Sequence, residues 1–401
     1  MTHCRIPLSA TFDYGTIERS GYGDNSSQTW ASDDQVYANM SDGEGWAEEP
    51  YYRSRLWRIA GGPQGFTPSD VPGYLDLRGR PHHVSPWFAY GIISVDGTIY
   101  QYISHTGEHD RWGAPFHGIL MVQSPDHGKS WYLHDGREVT GQHVSSETPE
   151  LMFNWQVAPG RRDGAGDMEG HAFAWVEVVQ MGQDNQLAKD DFIYVYSPYA
   201  PQSEQLNLAR VPKGRFTDWS AYEFFQAHRT DGTATWTQSV DARGVVHEFP
   251  TRTGSAHFGW FSWLPSIVWN EALGLYIMVN GGTYPGSGLS AGEYWEHWSH
   301  SKSGSIGLYW AANPWGPWHE FFYDSCFTTV DDDDRTYQPK LSPKWMSADG
   351  TQMWMIWSDR GGAVDAEKQT STNRFYKWNQ MRFDIQMQHR ESPEEPAPAS
   401  S

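Results

Sequence analysis

The chain has 401 residues, with 49 acidic against 29 basic side chains and a formal charge of −20. Its 22 Trp, 21 Tyr and 18 Phe, about 15% of all positions, exclude a disordered chain, and its two cysteines, Cys4 and Cys326, are too few for a disulfide scaffold or a cysteine metal centre. No apolar run approaches the roughly 18 residues of a membrane span, the opening MTHCRIPLSA lacks the apolar core of a signal peptide, and the negative charge repels phosphate backbones, so neither a membrane nor a nucleic-acid partner is expected.

Helical periodicity is nearly absent. The recurring unit is a pair of short β-like runs around a turn carrying Gly, Asp or Asn. In chain order these are Ser27–Gly43, then WFAYGIISV (Trp87–Val95) joined by Asp96–Gly97 to TIYQYI, then His171–Tyr199, Ser266–Gly282 and Pro339–Arg360. Asp–Gly between alternating apolar runs is a strong hairpin signal. More polar pairs follow, starting near Ser54, Gly118, Leu206, Ser305 and Asn373, and in three of them a Trp (Trp131, Trp219, Trp318) opens the next strand.

Each module therefore reads as four short antiparallel strands with two apolar faces that one copy cannot bury alone. Stacking the sheets around an axis solves this, with large rings filling the wedge-shaped gaps. The expectation is an all-β, five-bladed β-propeller of four-stranded antiparallel blades over residues 1–389. Ala234–Pro250 is a candidate extra hairpin that would raise the count to six or seven, and a pair of β-sandwiches is the competing architecture. Residues 390–401, acidic and Pro-rich, read as a disordered tail.

In a propeller the residues just before each innermost strand, and just after its partner, converge at one end of the axis. That geometry selects Asp24, Asn25, Trp30 and Asp42 in the first module and His82, His83, His105 and His109 in the second. It selects Arg161, Arg162, Asp167, Glu169 and His171 in the third, His257, Trp260, Trp263 and Asn280 in the fourth, and Arg335, Tyr337, Gln338, Asp359 and Arg360 in the fifth. The set mixes carboxylates, imidazoles and guanidiniums with aromatic rings. Sugars suit it: their C–H faces stack on Trp and Tyr, and their hydroxyls need donors and acceptors.

Hydrolysis of a glycosidic bond needs one protonated carboxyl and one carboxylate. Asp24 is the candidate base or nucleophile and Glu169 or Asp167 its partner, with Asp359 or Asp42 able to fill either place. Elimination beside a uronic acid instead needs a His or Tyr and a clamp on the substrate carboxylate. His83 and His105 supply the base, Tyr337 the acid, and Arg335 or Arg360 the clamp. Asn25, Trp30, Trp263, Arg335, Gln338, Asp359 and Arg360 are the candidate substrate-binding residues. A non-catalytic carbohydrate-binding propeller would need the rings without the acid–base pair. No cofactor is called for and no metal ligands are assigned, although the run Asp331–Asp334 offers oxygens to a structural calcium ion. SPDHGKSW (Ser124–Trp131) reads as an Asp-containing turn.

The stretch GDNSSQTWASDDQVYANMSDGEGW (Gly23–Trp46) resembles the opening module of the DUF4185-type propeller proteins, and AYGIISVDGTIYQYI, ILMVQSPDHGKSWY and YQPKLSPKW…DGTQMWMIWS are similar to later parts of the same group. The resemblance spans most of residues 20–385. It departs at Ser27, where a second Trp or Pro is usual, and at Gln35, where Gly is usual. It implies a five-bladed propeller related in form to arabinanase-like glycosidases, with the site on the axis. Sugar lyases of the rhamnose–glucuronate type also use propellers with His and Arg at the site. The expected partner is a poly- or oligosaccharide substrate and the expected state a monomer or weak oligomer. The location is extracellular if a leader has been removed, otherwise cytoplasmic.

Overall fold

The computed structural model describes residues 4–48, 50–78, 87–105, 118–144, 151–153, 172–198, 205–249, 264–283, 304–327, 334–361 and 377–390. Among them, strand β1 (Cys4–Ser20) precedes the first module. The first blade then holds β2 (Tyr22–Asp24), β3 (Gln28–Trp30), β4 (Val36–Gly45), β5 (Tyr52–Ala60) and β6 (Thr67–Asp70). Both β2 and β3 pair with β4, so together they make one inner strand broken at residues 25–27. The second blade is β7 (Trp87–Val95), β8 (Thr98–His105), β9 (Gly118–Ser124) and β10 (Tyr132–Leu133).

The third blade runs β11 (Glu177–Val178), β12 (Phe192–Pro198), β13 (Gln205–Pro212), β14 (Glu223–His228) and β15 (Ala234–Thr237), with β16 (His247–Glu248) paired to β13. The fourth is β17 (Ser266–Asn270), β18 (Leu275–Thr283), β19 (Gly304–Ala311) and β20 (His319–Phe327). The fifth is β21 (Asp334–Met346), β22 (Gln352–Gly361) and β23 (Trp378–Arg390), closed on its outer edge by β1.

The five sheets form a ring. Their inner strands touch in the order β3, β7, β11, β17, β21 and back to β3. One apolar cluster fills each gap between neighbours: Tyr37 and Leu56 meet Trp87 and Ile99 between the first two blades, Ile93 and Met121 meet Val178 and Val211 in the next, and so on around to Trp57, Trp345 and Trp378, which close the ring between the fifth blade and the first. The rings fill the wedges edge to face, as at Trp46–Trp57 with centroids 5.4 Å apart.

Backbone amides tie neighbouring inner strands: Gly91 N donates to Val176 O at 2.9 Å, and Ser94 N donates to the Thr29 hydroxyl oxygen at 2.7 Å. A Cβ on Gly91 would stand 2.8 Å from Val178 and 2.9 Å from the Val176 carbonyl, so only glycine permits this approach.

The five-bladed expectation is met. Asp96 and Gly97 both adopt positive φ (50° and 81°), as a two-residue hairpin turn demands, and Asp126 organises its turn by accepting from Ser124, Ser130 and the Ser130 amide. Three details differ. Ala234–Thr237 and His247–Glu248 extend the third blade and found no further one. The Asn373 stretch supplies a single strand, β23, and its outer partner comes from the other end of the chain, in a register running from Cys4↔Arg390 to Ser20↔Trp378. Trp219 sits in a short 3-10 turn (Trp219–Ala221) ahead of β14 and does not open the strand. The tail beyond Arg390 lies outside the described residues.

Candidate active site at the axis

The inner strands begin with distorted backbone at one end of the axis. In the first blade Asn25 takes a left-handed conformation (φ 55°), and Ser27 N bonds back to Asn25 O at 2.7 Å, a γ-turn that breaks the strand. In the fifth, Gln338 (φ 51°) lies at a bulge between Tyr337 and Lys340. In the fourth, Leu264 (φ 43°) precedes β17, and in the third, Phe173 (φ 60°) precedes β11. Gln338 and Leu264 each precede a proline, which disfavours the helical region for an ordinary residue. Non-glycine residues rarely occupy the left-handed region, and such strain is held where surrounding structure over-determines it. Bulges of this kind re-aim side chains next to active sites.

These distortions gather polar groups. Asp24 is 1% exposed and its Oδ1 accepts from the Asn25 amide at 3.1 Å. Ser358 Oγ, from the residue opposite Tyr337, donates to Gly23 O at 3.0 Å and so joins the fifth blade to the first beside Asp24. Tyr337 is buried and accepts from the Gln338 amide at 3.0 Å. Among the described residues, the buried Gln338 Oε1, Asn25 Oδ1, Ser26 Oγ and both ends of the Asn280 amide find no hydrogen-bond partner. Buried polar atoms are normally satisfied, so a cluster of unsatisfied ones marks a place where other polar groups belong.

Deeper on the axis a charged pair replaces apolar packing. Lys340 of β21 and Glu177 of β11 form an ion pair at 2.9 Å with side chains 1% and 6% exposed. Ser27 Oγ donates to the same Glu177 Oε2 at 2.7 Å, and Lys340 Nζ also donates to Leu264 O at 2.6 Å. The first, third, fourth and fifth blades thus meet at one carboxylate and one ammonium. Burial pushes the Lys340 pKa below its ordinary value, against the opposing pull of Glu177.

On the second-blade side, Arg53 binds Asp42 at 2.6 Å and lies over the Phe88 ring at 4.8 Å, which stacks on Tyr90 at 6.2 Å. Burial lowers the Arg53 pKa, but Asp42, Tyr51 and Asp24 more than reverse this and leave it raised. Burial, then Asp24 and Asp42, push the Tyr90 phenol well above its usual pKa. Tyr22 is raised by burial, Glu44, Asp24 and Asp42. Both phenols are therefore held protonated.

The structure brings Asp24, Asn25, Tyr337 and Gln338 together. Asp42 lies close by, tied to Arg53. Trp30 does not join them: it ends β3, at the other end of the inner strand, where its indole donates to Asp34 at 2.9 Å. His105 is one strand outward on β8, its ring edge-on to Trp87 at 4.6 Å. Arg335 stands opposite Arg360 and Thr336 opposite Asp359 in the β21–β22 register, one residue beyond the Tyr337–Ser358 pair and further. His83, Glu169, Trp263 and Asp331–Asp333 lie outside the described residues. Sequence reasoning missed Glu177, Lys340 and Arg53. The available signal was a lone acid inside the apolar run AWVEVV and a lone lysine between Pro339 and Leu341.

No family model matches this chain, and no curated protein matches it in sequence. Solved structures resemble it in shape. A Bacteroides ovatus protein is 12% identical with a TM-score of 0.48, covering 91% of this chain and 87% of its own. The α-L-arabinofuranosidase from Podospora anserina in complex with cellotriose is 8% identical with a TM-score of 0.42, covering 97% and 96%. A GH43_1 enzyme from Xanthomonas citri complexed with xylotriose is 13% identical with a TM-score of 0.40, covering 92% and 90%. At such identities the likeness describes the course of the chain and nothing of its chemistry.

Proposed function

We propose that this protein is a carbohydrate-active enzyme that hydrolyses glycosidic bonds with a pair of carboxylates on the propeller axis, Asp24 and Glu177. One observation carries the reading: the inner strand of the first blade breaks at Asn25–Ser27, burying Asp24 on one side of the break and sending Ser27 to Glu177 on the other. The Ser27 hydroxyl holds Glu177 at the same break that Asp24 borders, and glycoside hydrolysis needs two carboxyl groups roughly 5–9.5 Å apart. Glu169, eight residues ahead of β11 in the sequence, is the alternative partner for Asp24. Asn25, Gln338, Trp263, Arg335, Asp359 and Arg360 are proposed as sugar-binding groups. The DUF4185-type likeness belongs to this reading, and Gly23–Trp46 is its distinctive stretch.

Elimination at a uronate is the second reading, favoured by the direct opposition of Arg335 and Arg360 beside Tyr337. His83 and His105 are its bases.

A panel of neutral and uronate-bearing glycans separates the readings by reducing ends and absorbance near 235 nm. Reducing ends without absorbance, lost in Asp24→Asn and Glu177→Gln, support hydrolysis. Absorbance rising with the reducing ends supports elimination, and retained turnover in Asp24→Asn sinks the hydrolase. Sugar binding with neither product identifies a non-catalytic lectin-like propeller.

A further inference from the structure

Both donors to Glu177, the Ser27 hydroxyl and the Lys340 ammonium, reach the same oxygen, Oε2. Oε1 accepts from no described residue. The Glu177 side chain keeps 6% exposure while Lys340 keeps 1%. A buried ion pair contributes little net stability, because desolvating two charges offsets most of their attraction, and apolar replacements of similar volume are often neutral. This pair therefore calls for a role other than holding the blades together. The strands packed against β11 supply no rival charge that would orient Glu177: β7 contributes only Tyr90, β12 only Tyr194 and Tyr196, and β17 no ionisable group.

We propose that Lys340 is a positioning residue for Glu177: by binding Oε2 and anchoring itself on Leu264 O, it fixes the carboxylate plane and presents Oε1 as the working oxygen. Ser27 is the second clamp. The proposal rests on the carboxylate-pair reading for its consequence in turnover, but the positioning itself is visible without any activity.

The test begins with crystal structures of Lys340→Met and Ser27→Ala. The proposal expects the Glu177 carboxylate to turn away from its present position in Lys340→Met, and to rotate more freely in Ser27→Ala. A carboxylate that stays in place in either variant overturns it. Ser27→Ala removes one hydroxyl and keeps the ion pair, so it serves if Lys340→Met does not fold. In kinetics, Lys340→Ala should lose about 100-fold in kcat with KM within about twofold, the split expected when an oriented catalytic group is displaced, and propylammonium should restore turnover. Failure of the ammonium to restore a folded Lys340→Ala would show that packing, not charge, was removed, and overturns the proposal. Full activity in Glu177→Gln would instead refute the carboxylate-pair reading while leaving the crystallographic test of Lys340 standing.

Discussion

Removing one member of the axial ion pair should cost far more than removing both. In Glu177→Leu the Lys340 ammonium, 1% exposed, keeps one carbonyl partner and loses its counter-charge. Breaking a buried pair in this way costs about 3–5 kcal/mol. With an unfolding entropy of roughly 2.1 cal/mol/K per residue, a chain of 401 residues loses on the order of 4–6 °C in melting temperature. Glu177→Leu/Lys340→Met places apolar groups of similar volume on the axis and should lie within about 1 kcal/mol of the parent.

The pH dependence has a defined sign. The Lys340 pKa is depressed in the fold, so between its folded value and its ordinary one the unfolded chain binds more protons, and stability rises with pH across that window. Loss of Glu177 removes the opposing attraction and extends the window downward. The deficit of Glu177→Leu should therefore shrink as pH rises from 7 towards 10, read by thermal unfolding at fixed ionic strength. A double variant as unstable as the single one, or a deficit that grows with pH, would refute this account of the axis.

Three other outcomes are expected. Gly91→Ala forces a Cβ against Val178 and the Val176 carbonyl and should destabilise by about 1–3 kcal/mol, seen as a lower denaturant midpoint; an unchanged midpoint would show that the second and third blades can part without cost. Phe12→Ala, on the strand that closes the fifth blade and packed edge-on against Phe322 and Phe327 at 5.1 and 4.8 Å, should cost about 3–5 kcal/mol and raise proteolysis of the N-terminal segment. His247, its pKa lowered to about 4 by burial and then by His228 and His319, binds fewer protons folded than unfolded, so it destabilises the fold progressively as pH falls from 6.5 towards 4; His247→Phe should flatten that loss, measured as melting temperature against pH.

The blades were legible in the sequence because each hairpin is marked locally: Asp96–Gly97 must take positive φ, and the alternation of WFAYGIISV and TIYQYI fixes its register. The ring closure was not, because nothing in CRIPLSATFDYG states that its partner is QMRFDIQM at the far end of the chain; that pairing is set by the empty outer edge of the fifth sheet. Choosing residues at strand ends picked Asp24, Asn25, Tyr337 and Gln338, which the propeller gathers at one end of the axis. The same rule overshot at Trp30, because the break at residues 25–27 leaves that ring at the other end of the strand. It also passed over Glu177, because the third hairpin was expected to open at His171 and β11 starts at Glu177 itself, and over Lys340, which lies inside β21. A charge within a run of buried residues needs a partner, and looking for one across the axis would have joined them.

The central claim is that a sugar binds at the Asp24 end of the axis, between Asp24 and Glu177. A crystal structure of Asp24→Asn with a bound oligosaccharide tests it most directly. A sugar ring is expected within hydrogen-bond reach of residue 24 and Glu177 Oε1, with Gln338 and Asn280 on its hydroxyls. A ring seated at the opposite mouth beside Trp30, or on the outer strands away from the axis, would contradict it.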